Sequence, residues 1–141
     1  MRNILPPLLM LTLGATGAGA AEQRFTCDFR SEVRIKSLSV ASPMPEVLFV
    51  TDKIIVAFDT GDAATITDAE KGAARSVRHV VTSGSEHFLD ESKPGQLTVL
   101  SVLQPDATGR RIAIWSTHAW GTAGADYARP SQRYGNCTAA T

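Results

Sequence analysis

Three histidines, two cysteines and one tight run of acids are the residues through which this chain could do chemistry. None of His79, His87 and His118 belongs to a His-Glu-x-x-His or His-x-His spacing, so the ligand pairs of a common metal site are missing. Neither cysteine has a second one at zinc-ligand spacing. No metal or other cofactor is expected. In Glu86-His87-Phe88-Leu89-Asp90-Glu91, strand alternation puts Glu86, Phe88 and Asp90 on one face and His87, Leu89 and Glu91 on the other. Two carboxylates flanking a cleft can do general acid–base work, and His87 or His118 beside a carboxylate is the basis for a small hydrolase. Solvated edge charges that deter sheet-to-sheet aggregation account for the same run more simply, so no catalytic residue is assigned. Asp59-Thr60-Gly61-Asp62 lacks the further oxygen ligands and terminal glutamate of a calcium loop and reads as a hairpin turn. Ser83-Gly84-Ser85 has no following helix to make it a nucleophile elbow.

Binding chemistry has a better candidate. Tyr127-Ala128-Arg129-Pro130-Ser131-Gln132-Arg133-Tyr134 gathers arginine and tyrosine, residues enriched at protein interfaces. It closes an irregular stretch, 121–133, of the kind that carries binding on rigid scaffolds. Arg129, Gln132 and Tyr134, with His118 and His87, are the expected binding residues. His118 shares the parity of Ile112, Ile114 and Ser116, which places it on their face near a strand end.

These residues must be positioned by strands. From Phe25 the apolar side chains fall on odd positions, Phe25, Cys27, Phe29, Val33 and Ile35, with polar residues between them. That period of two means one buried face and one wet face. Ser42-Pro43-Met44-Pro45 ends the first unit. Further strands are expected at 47–51, 53–59, 64–67, 76–82, 87–89, 97–103, 111–118 and 134–137, separated by Gly and Pro turns, with one helical turn possible over 69–74. Trp115 and Trp120 lie on opposite faces, so at most one is core. Short strands at roughly ten-residue spacing indicate an all-β, single-domain antiparallel meander of about eight strands, a small barrel or barrel-like sandwich. The abundant Val, Ile, Leu and Phe either fill such a barrel or line a small hydrophobic ligand.

The first residues place the chain outside the cytoplasm. One positive charge, a short apolar core and the small-residue tail Ala18-Gly19-Ala20 match a signal peptide over 1–20. The domain then occupies 21–141, in the periplasm or secreted. The apolar core is shorter than the about 20 residues a membrane span needs, and no membrane span is expected. In an oxidising compartment Cys27 and Cys137 pair by default, the alternative being two buried thiols. The bridge closes a loop of more than about a hundred residues, for about 4–5 kcal/mol in the chain-entropy model. With 14 Lys+Arg against 14 Asp+Glu, the chain has no field to steer nucleic acid.

The stretch 53–137 resembles a group of small exported bacterial β-rich proteins of uncharacterised function. The resemblance lies in Phe58-Asp59-Thr60, His87-Phe88-Leu89-Asp90-Glu91, Leu97-Thr98-Val99, Ser116-Thr117-His118 and above all the ending Pro130-Ser131-Gln132-Arg133-Tyr134-Gly135-Asn136-Cys137. It implies an exported β domain and brings no catalytic residue. Phe25-Thr26-Cys27 and Ser83-Gly84 are also similar to periplasmic inhibitors of C-type lysozyme, small barrels with a cysteine near each end. In that family the Ser-Gly loop reaches towards the enzyme's active site. Here His87 stands where an aromatic would follow, and the onward spacing to Gly109 is longer. The expected function is therefore a non-catalytic binding protein for an envelope or extracellular protein. The alternatives are a cell-wall hydrolase inhibitor and a small hydrolase.

Overall fold

Alternation and turn chemistry resolve into strands alone. The computed structural model describes residues 21–35, 45–119 and 130–140. Its strands are β1 Gln23–Ile35, β2 Pro45–Phe58, β3 Ala63–Asp68, β4 Ala74–Thr82, β5 Ser85–Asp90, β6 Gln96–Pro105, β7 Arg111–Ala119 and β8 Ser131–Ala139. Each pairs antiparallel with the next and β8 returns to β1, giving a closed meander barrel. The stretch 1–20 expected to be a signal peptide, Ser42-Pro43-Met44, Trp120, Tyr127 and Arg129 lie outside the described residues. We call the end carrying the β1–β2, β3–β4, β5–β6 and β7–β8 connections the upper rim, and the opposite end, where β1 begins, the lower rim.

The bridge expected from the sequence closes the barrel. Cys27 and Cys137 are direct register partners across β1 and β8, joined by a disulfide and fully buried. Inward side chains fill the bore: Phe25 and Phe58 near the lower rim, then Phe88, Phe29, Ile66 and Leu100. Phe25 meets Phe58 at 5.1 Å between ring centroids, and Phe58 meets Phe88 edge-on at 5.2 Å. Of the two fillings open to an eight-stranded barrel, side chains or a small ligand, these buried residues supply the first. Among the described residues no helix is long and apolar enough to cross a membrane.

Several local expectations need correction. The two strands expected at 47–51 and 53–59 form one, β2, which ends at Phe58, because Asp52 continues the alternation instead of ending it. The stretch 69–74 holds a turn over 69–71 and no helix, with Ala74 opening β4 and Asp68 Oδ1 accepting from the backbone N–H groups of Glu70 and Lys71 at 3.0 and 2.8 Å. β8 begins at Ser131, three residues before the expected start at Tyr134, so Ser131, Gln132 and Arg133 are strand residues. The largest correction is in β1. Its pairing with both neighbours shifts between Phe29 and Ser31, and this bulge at Arg30 reverses the parity that follows. Glu32, not Val33 or Ile35, turns inward and is 2% exposed. Gly135 lies opposite the bulge, and a Cβ there would collide with the Asp28 carbonyl and come within 2.9 Å of Phe29 Cα. The β4–β5 hairpin carries Ser83 and Gly84 at φ 49° and 78°, the left-handed pair a type I′ turn requires.

Candidate functional site

The inverted parity of β1 builds a charged cap under the upper rim. Glu32 sits opposite Arg133 in the β1–β8 register, and Arg133 sits opposite Trp115 in β7. Arg133 donates from Nε to Glu32 Oε2 at 3.2 Å and from Nη1 to Asp52 Oδ2 at 2.6 Å. Arg34 donates to both Glu32 oxygens at 3.0 and 3.1 Å. Burial pushes the Glu32 carboxyl up, but the Arg34 hydrogen bonds and the charges of Arg133 and Arg34 outweigh it and hold it below its ordinary value. The indole of Trp115 lies edge-on to Phe29, and the guanidiniums of Arg75 and Arg133 lie over it at 5.2 and 5.6 Å. Arg75 Nε stands 2.7 Å from Asp90 Oδ2 but is misdirected for a hydrogen bond, so that buried N–H has no acceptor. Burial also raises the Asp90 carboxyl, while the Ser92 hydroxyl and N–H and the charges of Arg75 and Lys93 bring it below its ordinary value. These charges compensate one another in place. The cluster is a plug on the hydrophobic bore, beside a recess of about 170 Å³ reaching Asp68 and Lys71.

Glu86 and Asp90 share the inward face of β5 with Phe88, so they are not the solvated edge charges expected of them. Asp90 belongs to the plug. Glu86 Oε2 lies 2.6 Å from His79 Nε2, and His79 Nδ1 lies 2.9 Å from Gly61 O. A carbonyl can only accept, so the Nδ1–H donates to Gly61 O, and Nε2 faces the Glu86 carboxyl. The ring stacks on Phe88 at 5.0 Å and meets Phe58 at 4.8 Å. The His79 backbone N–H also donates to Asp62 O at 2.7 Å. His79 thus fastens the β2–β3 hairpin from inside the barrel.

The expected binding residues that can be placed lie on the outer wall. His87 faces out on β5, with Nε2 2.6 Å from Thr82 Oγ1 and Nδ1 3.0 Å from Ser101 Oγ. His118 stands opposite Leu97, whereas His87 stands opposite Ser101. The two histidines are therefore separated by β6 and displaced along it. His118 does meet Gln132. Both line a groove of about 200 Å³ over β7, β8 and the end of β1, with Val33, Ile35, Thr117, Pro130 and Ser131. Its floor is held where the Ile35 N–H donates to Pro130 O at 3.2 Å. Tyr134, on the same face of β8, donates from its hydroxyl to Gln132 Oε1 at 2.5 Å. Beside the groove Val47 (65% exposed), the β2 register partner of Val33, and Phe49 (94%) are exposed on the same wall, with Ile112 exposed lower on β7. A broader depression of about 440 Å³ lies between Val77 and Leu89, where β4 and β5 part.

Among the described residues no group of three or more His, Cys, Asp or Glu side chains is placed to hold a metal ion. Arg133, read in the sequence as part of an irregular loop, is the centre of the charged plug. His79 lies among the valines of β4, and nothing in its neighbours distinguishes it from a surface histidine. No family model, curated protein or solved structure matches this chain.

Proposed function

We propose that this is an exported, non-catalytic binding protein that takes an envelope or extracellular protein partner on its outer wall, at the groove of His118 and Gln132 beside Tyr134. The observation that carries the reading is the groove's size and lining. Small-molecule sites measure roughly 300–1,000 Å³, whereas this groove of about 200 Å³, walled by Val33, Ile35 and Pro130, takes one projecting side chain of a larger partner. Gln132 and His118 at its edge supply hydrogen bonds, and Tyr134 supplies a half-exposed aromatic of the kind that anchors interfaces. A filled bore and a self-neutralised upper plug leave the outer wall as the surface for recognition. The buried disulfide is compatible with an oxidising, exported location.

The experiment is capture from envelope extract with the oxidised protein, comparing wild type with His118→Ala/Tyr134→Ala. Wild type should retain a partner that the double variant loses. Equal recovery of every partner by both would discard the groove. Inhibition of a cell-wall hydrolase is the second reading, favoured by the rigid, exposed Ser83–Gly84 tip. Lysozyme left fully active under a large excess of the protein removes it.

A further inference from the structure

Closure does not protect the whole sheet. β3 pairs with β2 only from Ile54 to Phe58, while β1 pairs with β2 down to Pro45. Among the described residues no strand pairs with the other edge of 45–52. The Lys53 carbonyl accepts from the Ala69 N–H at 2.9 Å, which marks the odd residues of β2 as those whose backbone groups face away from β1. Among the described residues the N–H and C=O groups of Val47, Phe49 and Thr51 therefore have no partner along this edge. Their side chains are also outward, with Phe49 94% and Val47 65% exposed. Long edges of this kind are normally blunted by lysines, prolines or charges. Here Pro45 and Glu46 guard one end and Asp52 the other, and no charge or proline interrupts 47–51.

We infer that this edge pairs with the same edge of a second copy of the chain, antiparallel about a two-fold axis at Leu48. The sequence is complementary to itself in that register and no carboxylates meet. Each Phe49 falls opposite the other copy's Val47, so both exposed side chains are covered twice by one operation, and the two residues exchange backbone hydrogen bonds. Glu46 falls opposite Val50. Thr51 falls opposite Pro45, whose missing N–H sits at the extremity of the ladder. Centring on Phe49 instead would set Glu46 against Asp52, which like-charge repulsion disfavours. A closed two-fold contact of this kind ends at the dimer. The paired stretch is about 20 Å long, so the contact belongs with small, weak interfaces, with dissociation on the order of 10–100 µM. The chain's balanced charge adds no long-range repulsion.

Sedimentation velocity across a concentration series tests this on the full chain, expressed with its leader in an exporting host and recovered oxidised. Wild type should shift from monomer to dimer with rising concentration. Phe49→Lys, at a solvent-facing position, should weaken association at least tenfold while circular dichroism and melting of the dilute monomer stay unchanged. Val81→Lys, at an exposed valine on β4, should dimerise as wild type does, and so should Tyr134→Ala, which separates this contact from the partner groove. A wild-type protein that stays monomeric to millimolar concentration overturns the inference. So does a dimer that survives Phe49→Lys.

Discussion

Removing the bridge, by Cys27→Ala with Cys137→Ala, is the perturbation with the largest expected effect. The cross-link spans 110 residues, and a loop that long restricts the unfolded chain by about 5 kcal/mol in the chain-entropy model. Both side chains are fully buried, so truncating them leaves small voids costing about 0.5–1 kcal/mol each. The sum is comparable to the about 5–15 kcal/mol that separates folded from unfolded domains. Urea unfolding of wild type and variant measures it, with sulfate added to extend the variant's folded baseline. The account expects a loss of at least about 4 kcal/mol and a larger denaturant slope in the variant, because its unfolded chain is no longer held in a loop and exposes more surface. A loss below about 2 kcal/mol with an unchanged slope would refute the reasoning: the β1–β8 seam would then hold without the sulfurs.

Other perturbations probe the interior. Gly135→Ala drives a methyl into the β1 backbone at the bulge and should cost about 2–4 kcal/mol, read as a fall in melting temperature; a neutral substitution would place the seam elsewhere. His79→Phe keeps the aromatic stack but strands Glu86, and should cost about 2–3 kcal/mol. Adding Glu86→Leu should recover much of that, since removing both partners is milder than removing one; an additive loss in urea titrations contradicts the pairing. Acid should destabilise the upper plug. Glu32 and Asp90 are held below their ordinary values when folded, so the stability they contribute is complete above the unfolded carboxyl values near about pH 4 and is lost as pH falls through the lower folded ones. Glu32→Gln should flatten that acid limb, and a pH profile identical to wild type would show that Glu32 carries none of it.

The fold was legible because its signals are local. Alternation from Phe25, turn residues near every reversal, and parity placing Cys27 inward lead to a meander whose ends meet. What failed depends on neighbours that no local window contains. The bulge at Arg30 leaves no mark in β1 itself, so Val33 and Ile35 read as core and Glu32 as surface. Arg133 across the seam, together with Arg34 two residues along β1, makes a buried glutamate tolerable. Glu86 and Asp90 read as solvated for the same reason, since His79 and Arg75 reach them from β4. Gln132 and Tyr134 stand out in the sequence by residue type alone; the structure moves Gln132 from the irregular stretch into β8, the strand expected to begin at Tyr134. His118 was placed on the correct face, but its meeting with Gln132 required the β7–β8 register. Arg129 lies outside the described residues.

The proposed partner site lies on the outer wall of the filled barrel, beside Tyr134. Photo-crosslinking in exporting cells measures this most directly, with a benzophenone amino acid replacing Tyr134 in one strain and Val81, on β4, in another. The account predicts a discrete covalent adduct from position 134 and none from 81. An adduct from 81 alone, or none from either, would contradict it.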